Sequence, residues 1–144
     1  MDEQILEIRD FKGEGYQPLV DYGTWRVAIL RFLDELEPER LNSMERHLET
    51  DEVFVLTNGK GVLLMGGNGK TVDGIYPQVM ESGKIYNVKR GAWHSVLLSR
   101  DASVVITENR DTDKNNSEYT NLSAEQRKVI VEVAKCEQIA GHHS

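Results

Sequence analysis

Cysteine is nearly absent from this chain: Cys136 stands alone among 144 residues, so no intrachain disulfide can staple the fold, which suits a reducing compartment. It falls in a helical pattern where a small buried hydrophobe is expected, and it is a poor candidate nucleophile. Long apolar runs are missing as well. Stretches such as Val27-Ala28-Ile29-Leu30 fall far short of the ~18 residues of a membrane span, and the opening Met1-Asp2-Glu3-Gln4 has neither a basic nor an apolar targeting region. Basic residues are in the minority, 17 Lys+Arg against 24 Asp+Glu for a net charge of −7, and they are scattered. The attraction that dominates nucleic-acid binding is therefore lacking. These absences predict a soluble cytoplasmic protein with neither a nucleic-acid nor a membrane partner. The length predicts one domain over residues 1–144, since a chain of this size buries roughly two-thirds of its unfolded surface in a single core.

What is present is a succession of short apolar segments punctuated by turn residues. Ile5 to Phe11 predicts a first strand ending in the Lys12-Gly13-Glu14-Gly15 turn, and Thr24 to Leu33 a central strand rich in β-branched and aromatic residues. The charged Asp34–Asn42 stretch, interrupted by Pro38, predicts a connecting loop whose carboxylates face solvent. Strands are then expected at Val53–Thr57, Val62–Met65, Val72–Met80, Lys84–Val88, His94–Leu98 and Ser103–Thr107. The Asn58-Gly59 pair reads as a hairpin turn, because both residues accept positive φ. Pro77 assigns its strand to an edge or a bulge. Asn109 to Asn121 is polar and predicts a loop. Ser123 and Gln126 form a capping box for a helix reaching about Ala140, with Val129, Ile130, Val133 and Cys136 as its apolar stripe. His142-His143-Ser144 reads as a frayed tail. Many short strands without intervening helices indicate an all-β sandwich or jelly-roll barrel over about 5–110, followed by the helix over about 123–140.

Two stretches carry the chemistry. Glu45-Arg46-His47-Leu48-Glu49-Thr50-Asp51-Glu52 runs into the Val53 strand, and Gly83 to His94 delivers a second histidine just after a glycine turn. Residues i and i+2 of a strand share a face, so Glu45 and His47 can converge while Arg46 points away to an outer-face ion pair. Glu52 comes round after a bend, and His94 arrives from another strand. Two imidazoles with one or two carboxylates form a mixed N/O set suited to Fe(II), Mn(II), Ni(II) or Zn(II). The alternative is a metal-free site in which the same residues bind a polar substrate. Lys89 and Arg90, beside a glycine turn, are candidates for holding a substrate carboxylate, although solvated rim charge is the ordinary state of such residues. Tyr86 and Tyr76 can reach a substrate from strands or pack in the sheet, and Trp93 is expected to pack.

Written as spacings, the two stretches are Glu-x-His-x4-Glu-x6-Gly, ending at Gly59, and Gly-x5-Lys-x-Gly-x2-His, starting at Gly83. They resemble the two motifs of the cupin superfamily, with Glu45 at the first histidine of motif one, Lys89 at the proline of motif two and Leu98 at its asparagine. The resemblance implies a cupin double-stranded β-helix and places His47, Glu52 and His94 at ligand positions. More narrowly, Glu45-Arg46-His47, Arg90-x-x-Trp93-His94, Thr107-Glu108-Asn109-Arg110 and Ser123-x-Glu125-Gln126 resemble the ureidoglycolate lyase family of cupins. That resemblance implies a homodimeric lyase of purine catabolism that cleaves a small ureido carboxylate, with His47, His94, Glu45 and Glu52 as acid, base or ligand residues. A homodimer is expected through an N-terminal strand or the helix stripe. A non-catalytic ligand-binding module, or a metal-dependent dioxygenase or sugar isomerase, would use the same residues.

Overall fold

The strands are built by apolar residues at alternate positions, and the computed structural model, which describes residues 2–139, arranges them in two sheets. In chain order they are β1 (Gly15–Tyr22), β2 (Trp25–Arg31), β3 (Ser43–His47), β4 (Glu52–Asn58), β5 (Gly61–Met65), β6 (Tyr76–Val79), β7 (Tyr86–Val88), β8 (His94–Leu98), β9 (Ser103–Asn109) and β10 (Ser117–Asn121), followed by the helix α1 (Ala124–Cys136). One sheet has the order β1-β2-β9-β4-β7 and the other β10-β3-β8-β5-β6. All pairings are antiparallel. This is the expected all-β jelly-roll architecture with a C-terminal helix.

Period-two alternation decides what faces inward. On β4 the buried positions are Glu52, Phe54 and Leu56, and on β9 they are Val104, Ile106 and Glu108. Phe54, Leu56, Val104 and Ile106 join Leu63, Val96 and Leu98 of the opposite sheet in an apolar core. A second core lies where α1 covers the back of the other sheet: Ile130 and Ala134 pack with Met44, Val62, Leu64, Trp93 and Leu97. β5 is therefore apolar on both faces, which explains its unbroken Val62-Leu63-Leu64 run.

Several expectations are corrected. Ile5–Phe11 is not a strand: it pairs with neither sheet, and Ile5 and Ile8 are exposed. The first strand begins at Gly15, where the preceding turn was expected. Asn58-Gly59 does not close a hairpin, because β4 pairs with β7 and β9 whereas β5 pairs with β6 and β8. The pair instead turns the chain from one sheet to the other. Asn58 Nδ2 donates to the Asp101 carbonyl at 2.8 Å, and Gly59 has φ 74°, with space for a Cβ blocked by Ala102. Only Tyr76–Val79 of the Val72–Met80 segment is strand, and it lies at a sheet edge as Pro77 requires. The 109–121 segment ends in a strand, β10, so the sheet extends past residue 110. Glu37 of the charged loop is 3% exposed and binds Arg100, because the loop folds against the sandwich.

The Ser123–Gln126 capping box is present, but the helix buries Ile130 and Ala134, with Val133 partly covered, and leaves Val129 and Cys136 exposed. At 3.6 residues per turn Cys136 lies ~120° around the helix from Ile130, so the stripe is narrower than expected. The helix ends at Cys136, short of the expected Ala140, where Glu137 caps it and Gln138 takes φ 57°; the expected frayed tail lies outside the described residues. Among the described residues no helix is long and apolar enough to cross a membrane.

Candidate metal centre

Four of the expected residues converge. β3 and β8 are neighbours, with Glu45 opposite His94 in register, and Glu45 and His47 share the inward face of β3. Glu52 enters from the facing sheet at the start of β4. His47 Nε2 and His94 Nε2 each lie 2.9 Å from Glu52 Oε1. Glu45 Oε1 is 3.9 Å from the first nitrogen and 4.0 Å from the second. His47, Glu52 and His94 are buried, while the Glu45 side chain is 40% exposed.

The imidazoles are oriented from behind. His94 Nδ1 donates to the Ala92 carbonyl at 3.0 Å, so this nitrogen carries a proton. In the neutral ring Nε2 then turns a lone pair toward a carboxylate oxygen that also only accepts. Two acceptors at 2.9 Å need a proton or a cation between them. His47 Nδ1 lies 2.8 Å from Ser117 Oγ, which can donate or accept. One potential ligand atom from each of the four residues falls in a group within 4.8 Å. A divalent ion with N and O ligands at about 2.0–2.2 Å sets its ligand atoms roughly 3 to 4.4 Å apart, so the set fits such an ion.

Charge and burial act on these groups in opposite senses. Burial lowers the histidine pKa values, but the hydrogen bond and charge of Glu52, with the charge of Glu45, outweigh it and hold both above 6.5. Burial raises the Glu52 carboxyl, yet the bonds from His47 and His94 bring it down to about 2.

The centre opens into a cavity of about 440 Å³ whose far walls include Leu30, Leu33, Val96 and Ile106. Beside His47 is a cluster that the sequence reading did not assemble: Tyr16 of β1, Arg26 of β2 and Glu108 of β9. The Tyr16 hydroxyl donates to Glu108 Oε2, and Arg26 Nη2 donates to the same oxygen at 2.8 Å. Burial and then the Glu108 bond raise the Tyr16 pKa; burial and then the charge of Glu52 raise that of Glu108. The available signal was local. Glu108 continues the inward Val104, Ile106 alternation as a carboxylate, just as Glu52 precedes Phe54 and Leu56 on β4.

The residues expected to hold a substrate carboxylate do not line this cavity. Lys89 Nζ lies 3.2 Å from Asp51 Oδ2, and the Arg90 backbone N–H donates to Asp51 Oδ1 at 2.8 Å. The Arg90 backbone bond leads the effects that lower the Asp51 pKa. With Gly91 N–H donating to the His47 carbonyl at 2.8 Å, this turn braces the backbone at His47. The Tyr86 hydroxyl accepts from the Glu81 N–H at 2.7 Å, and Tyr76 donates to Asp73 at 2.9 Å. Arg46 lies on the outer face as expected, where it bonds Glu118 and stacks 4.4 Å from the ring centroid of buried Trp93.

No protein-family model matches the chain, and no curated protein matches it in sequence. Solved structures do match in shape. A cupin-2 domain-containing protein from Shewanella frigidimarina has a TM-score of 0.52 and 16% identity over 69% of this chain and 85% of its own. Streptomyces PAC13, solved with uridine, has a TM-score of 0.51 and 12% identity over 80% of this chain and 86% of its own. KdgF from a Halomonas species has a TM-score of 0.51 and 12% identity over 69% and 81% respectively. At such identities the likeness is one of architecture, and the architecture of this chain is the cupin fold.

Proposed function

We propose that the chain is a metal-dependent cupin-fold enzyme acting on a small polar molecule beside His47, Glu52 and His94, with cleavage of a ureidoglycolate-like substrate as its specific activity. The observation that carries the metal reading is the meeting of two imidazole nitrogens and one carboxylate oxygen at 2.9 Å, backed by an Nδ1 proton donated to Ala92. His47, His94 and Glu52 would hold the ion, with Glu45 beside them. A divalent ion there supplies a Lewis acid that polarises an oxygen of the substrate.

The protein's own groups divide the other tasks. Ser117 and the Ala92 carbonyl hold the two rings in place. Glu45, half-exposed and without a hydrogen bond to the histidines, is available to take a hydroxyl proton. Leu30, Leu33, Val96 and Ile106 keep water from one side of the cavity. In carbon–nitrogen cleavage of a hydroxy-acid, Glu45 would take the hydroxyl proton as the C=O bond forms and the C–N bond breaks, and would return that proton to the departing nitrogen, so that a neutral urea leaves an aldehyde acid.

Elemental analysis of protein purified without a histidine tag tests the metal, and urea release from ureidoglycolate tests the reaction. Near-stoichiometric metal is expected in wild type, with affinity falling by more than about tenfold in His47→Ala and His94→Ala, since even an outer-shell partner of a ligand contributes that much. Folded wild type that takes up no Mn(II), Ni(II) or Zn(II) would reject the metal centre. Urea release that persists in the double alanine variant would reject the assigned chemistry.

A further inference from the structure

Glu108 is 5% exposed, and its two carboxylate oxygens have different surroundings. Oε2 is fully engaged by Tyr16 Oη and by Arg26 Nε and Nη2. Oε1 is buried without a hydrogen-bond partner and lies 3.8 Å from His47 Nε2, and Glu108 is one of the residues that line the cavity. A buried carboxylate oxygen without a donor is among the least stable arrangements a protein can hold. Arg26 does not turn to satisfy it, because its guanidinium is also committed to the carbonyls of Arg110 at 3.2 Å and Thr112 at 3.1 Å. The same commitments prevent Arg26, the only arginine or lysine lining the cavity among the described residues, from receiving a ligand carboxylate.

Taking this cavity as the substrate site proposed above, we infer that Glu108 Oε1 is a specificity-determining acceptor that receives an uncharged donor group of the substrate, a hydroxyl or an amide or urea N–H. Tyr16 and Arg26 act as positioning residues that hold the carboxylate by its other oxygen. A carboxylate placed against Glu108 would meet another carboxylate, with Arg26 already committed elsewhere, so the substrate enters with its neutral, hydrogen-donating group toward Glu108. In Glu108→Gln the amide oxygen would stay with Tyr16 and Arg26, which both donate, and the NH2 would face the cavity. The site would then offer a donor in place of an acceptor.

The test is ligand-observed saturation-transfer NMR on the protein as purified, using pairs that keep the carboxylate and differ in one donor: glycolate with methoxyacetate, and lactate with 2-methoxypropionate. Wild type is expected to prefer the hydroxyl-bearing member of at least one pair by about tenfold or more, the order of one hydrogen bond to a charged group. Glu108→Gln should abolish or reverse that preference. Equal or stronger binding of the methyl ethers by wild type, an unchanged preference in Glu108→Gln, or no binding of any probe would overturn the assignment. The wild-type comparison holds even if the variant does not fold. Metal content is measured on the same samples: its loss in folded Glu108→Gln alone would make Glu108 a ligand and overturn this role. A donor preference in a wild type that takes up no metal would reject the metal centre and leave the Glu108 assignment standing.

Discussion

Glu52 Oε1 collects both imidazole nitrogens, and in metal-free protein that arrangement is held by protons. The two raised histidine pKa values contribute stability fully below their unfolded value near 6.5, and lose it as pH rises through the folded values. The depressed Glu52 works in the opposite direction, contributing above its unfolded value near 4.5 and losing this as pH falls toward about 2. Glu108, raised in the folded protein, removes stability as pH climbs above 4.5. The signature of the cluster is therefore the difference between wild type and Glu52→Gln, both retaining Glu108. In chelator-treated protein that difference in melting temperature should be greatest between about pH 4.5 and 6.5. Added Zn(II) should stabilise wild type increasingly toward higher pH, because a metal needs neutral imidazoles. Calorimetry across pH checks both; a flat difference in the metal-free samples would refute the assigned pairing.

At the scale of elements, α1 matters because it closes the back of the sheet that carries His47 and His94. Ile130 is fully buried there against residues of the same core as Trp93, whose neighbour in sequence is His94. Ile130→Ala should cost about 2–5 kcal/mol by leaving a cavity. Val129→Ala, on the exposed face, should cost roughly 0.5 kcal/mol or less. Denaturant unfolding of the two variants distinguishes them, and similar losses would mean that the helix is seated on another face. The braces behind the histidines also belong to this scale. β10 brings Ser117 to His47, and the Asp51-held turn at Lys89-Arg90 positions the backbone below it.

For the whole molecule, the Ile130 and Ala134 face of α1 is already spent within one chain, while Ile5 and Ile8 stand exposed in a segment that pairs with neither sheet. We propose that the expected homodimer forms through this N-terminal segment. Sedimentation should then show a dimer that dissociates on deletion of residues 2–12, and a deletion that leaves the dimer intact would rule the segment out. The sequence by itself determined most of the alternating strands, the capped helix, the restriction of Pro77 to an edge or a bulge and the spacing of His47, Glu52 and His94, because periodicity and turn chemistry act over a few residues. Only the tertiary structure decided that Asn58-Gly59 crosses between sheets, that the Lys89 ammonium and the Arg90 backbone N–H meet at Asp51, and that α1 packs with Ile130 and Ala134. It also assembled Tyr16, Arg26 and Glu108, which lie 10 and 82 positions apart in the chain. Strand order places Arg26 opposite Glu108 in register, and such long-range pairing is set by the joint burial of two sheets, which no local stretch of sequence encodes.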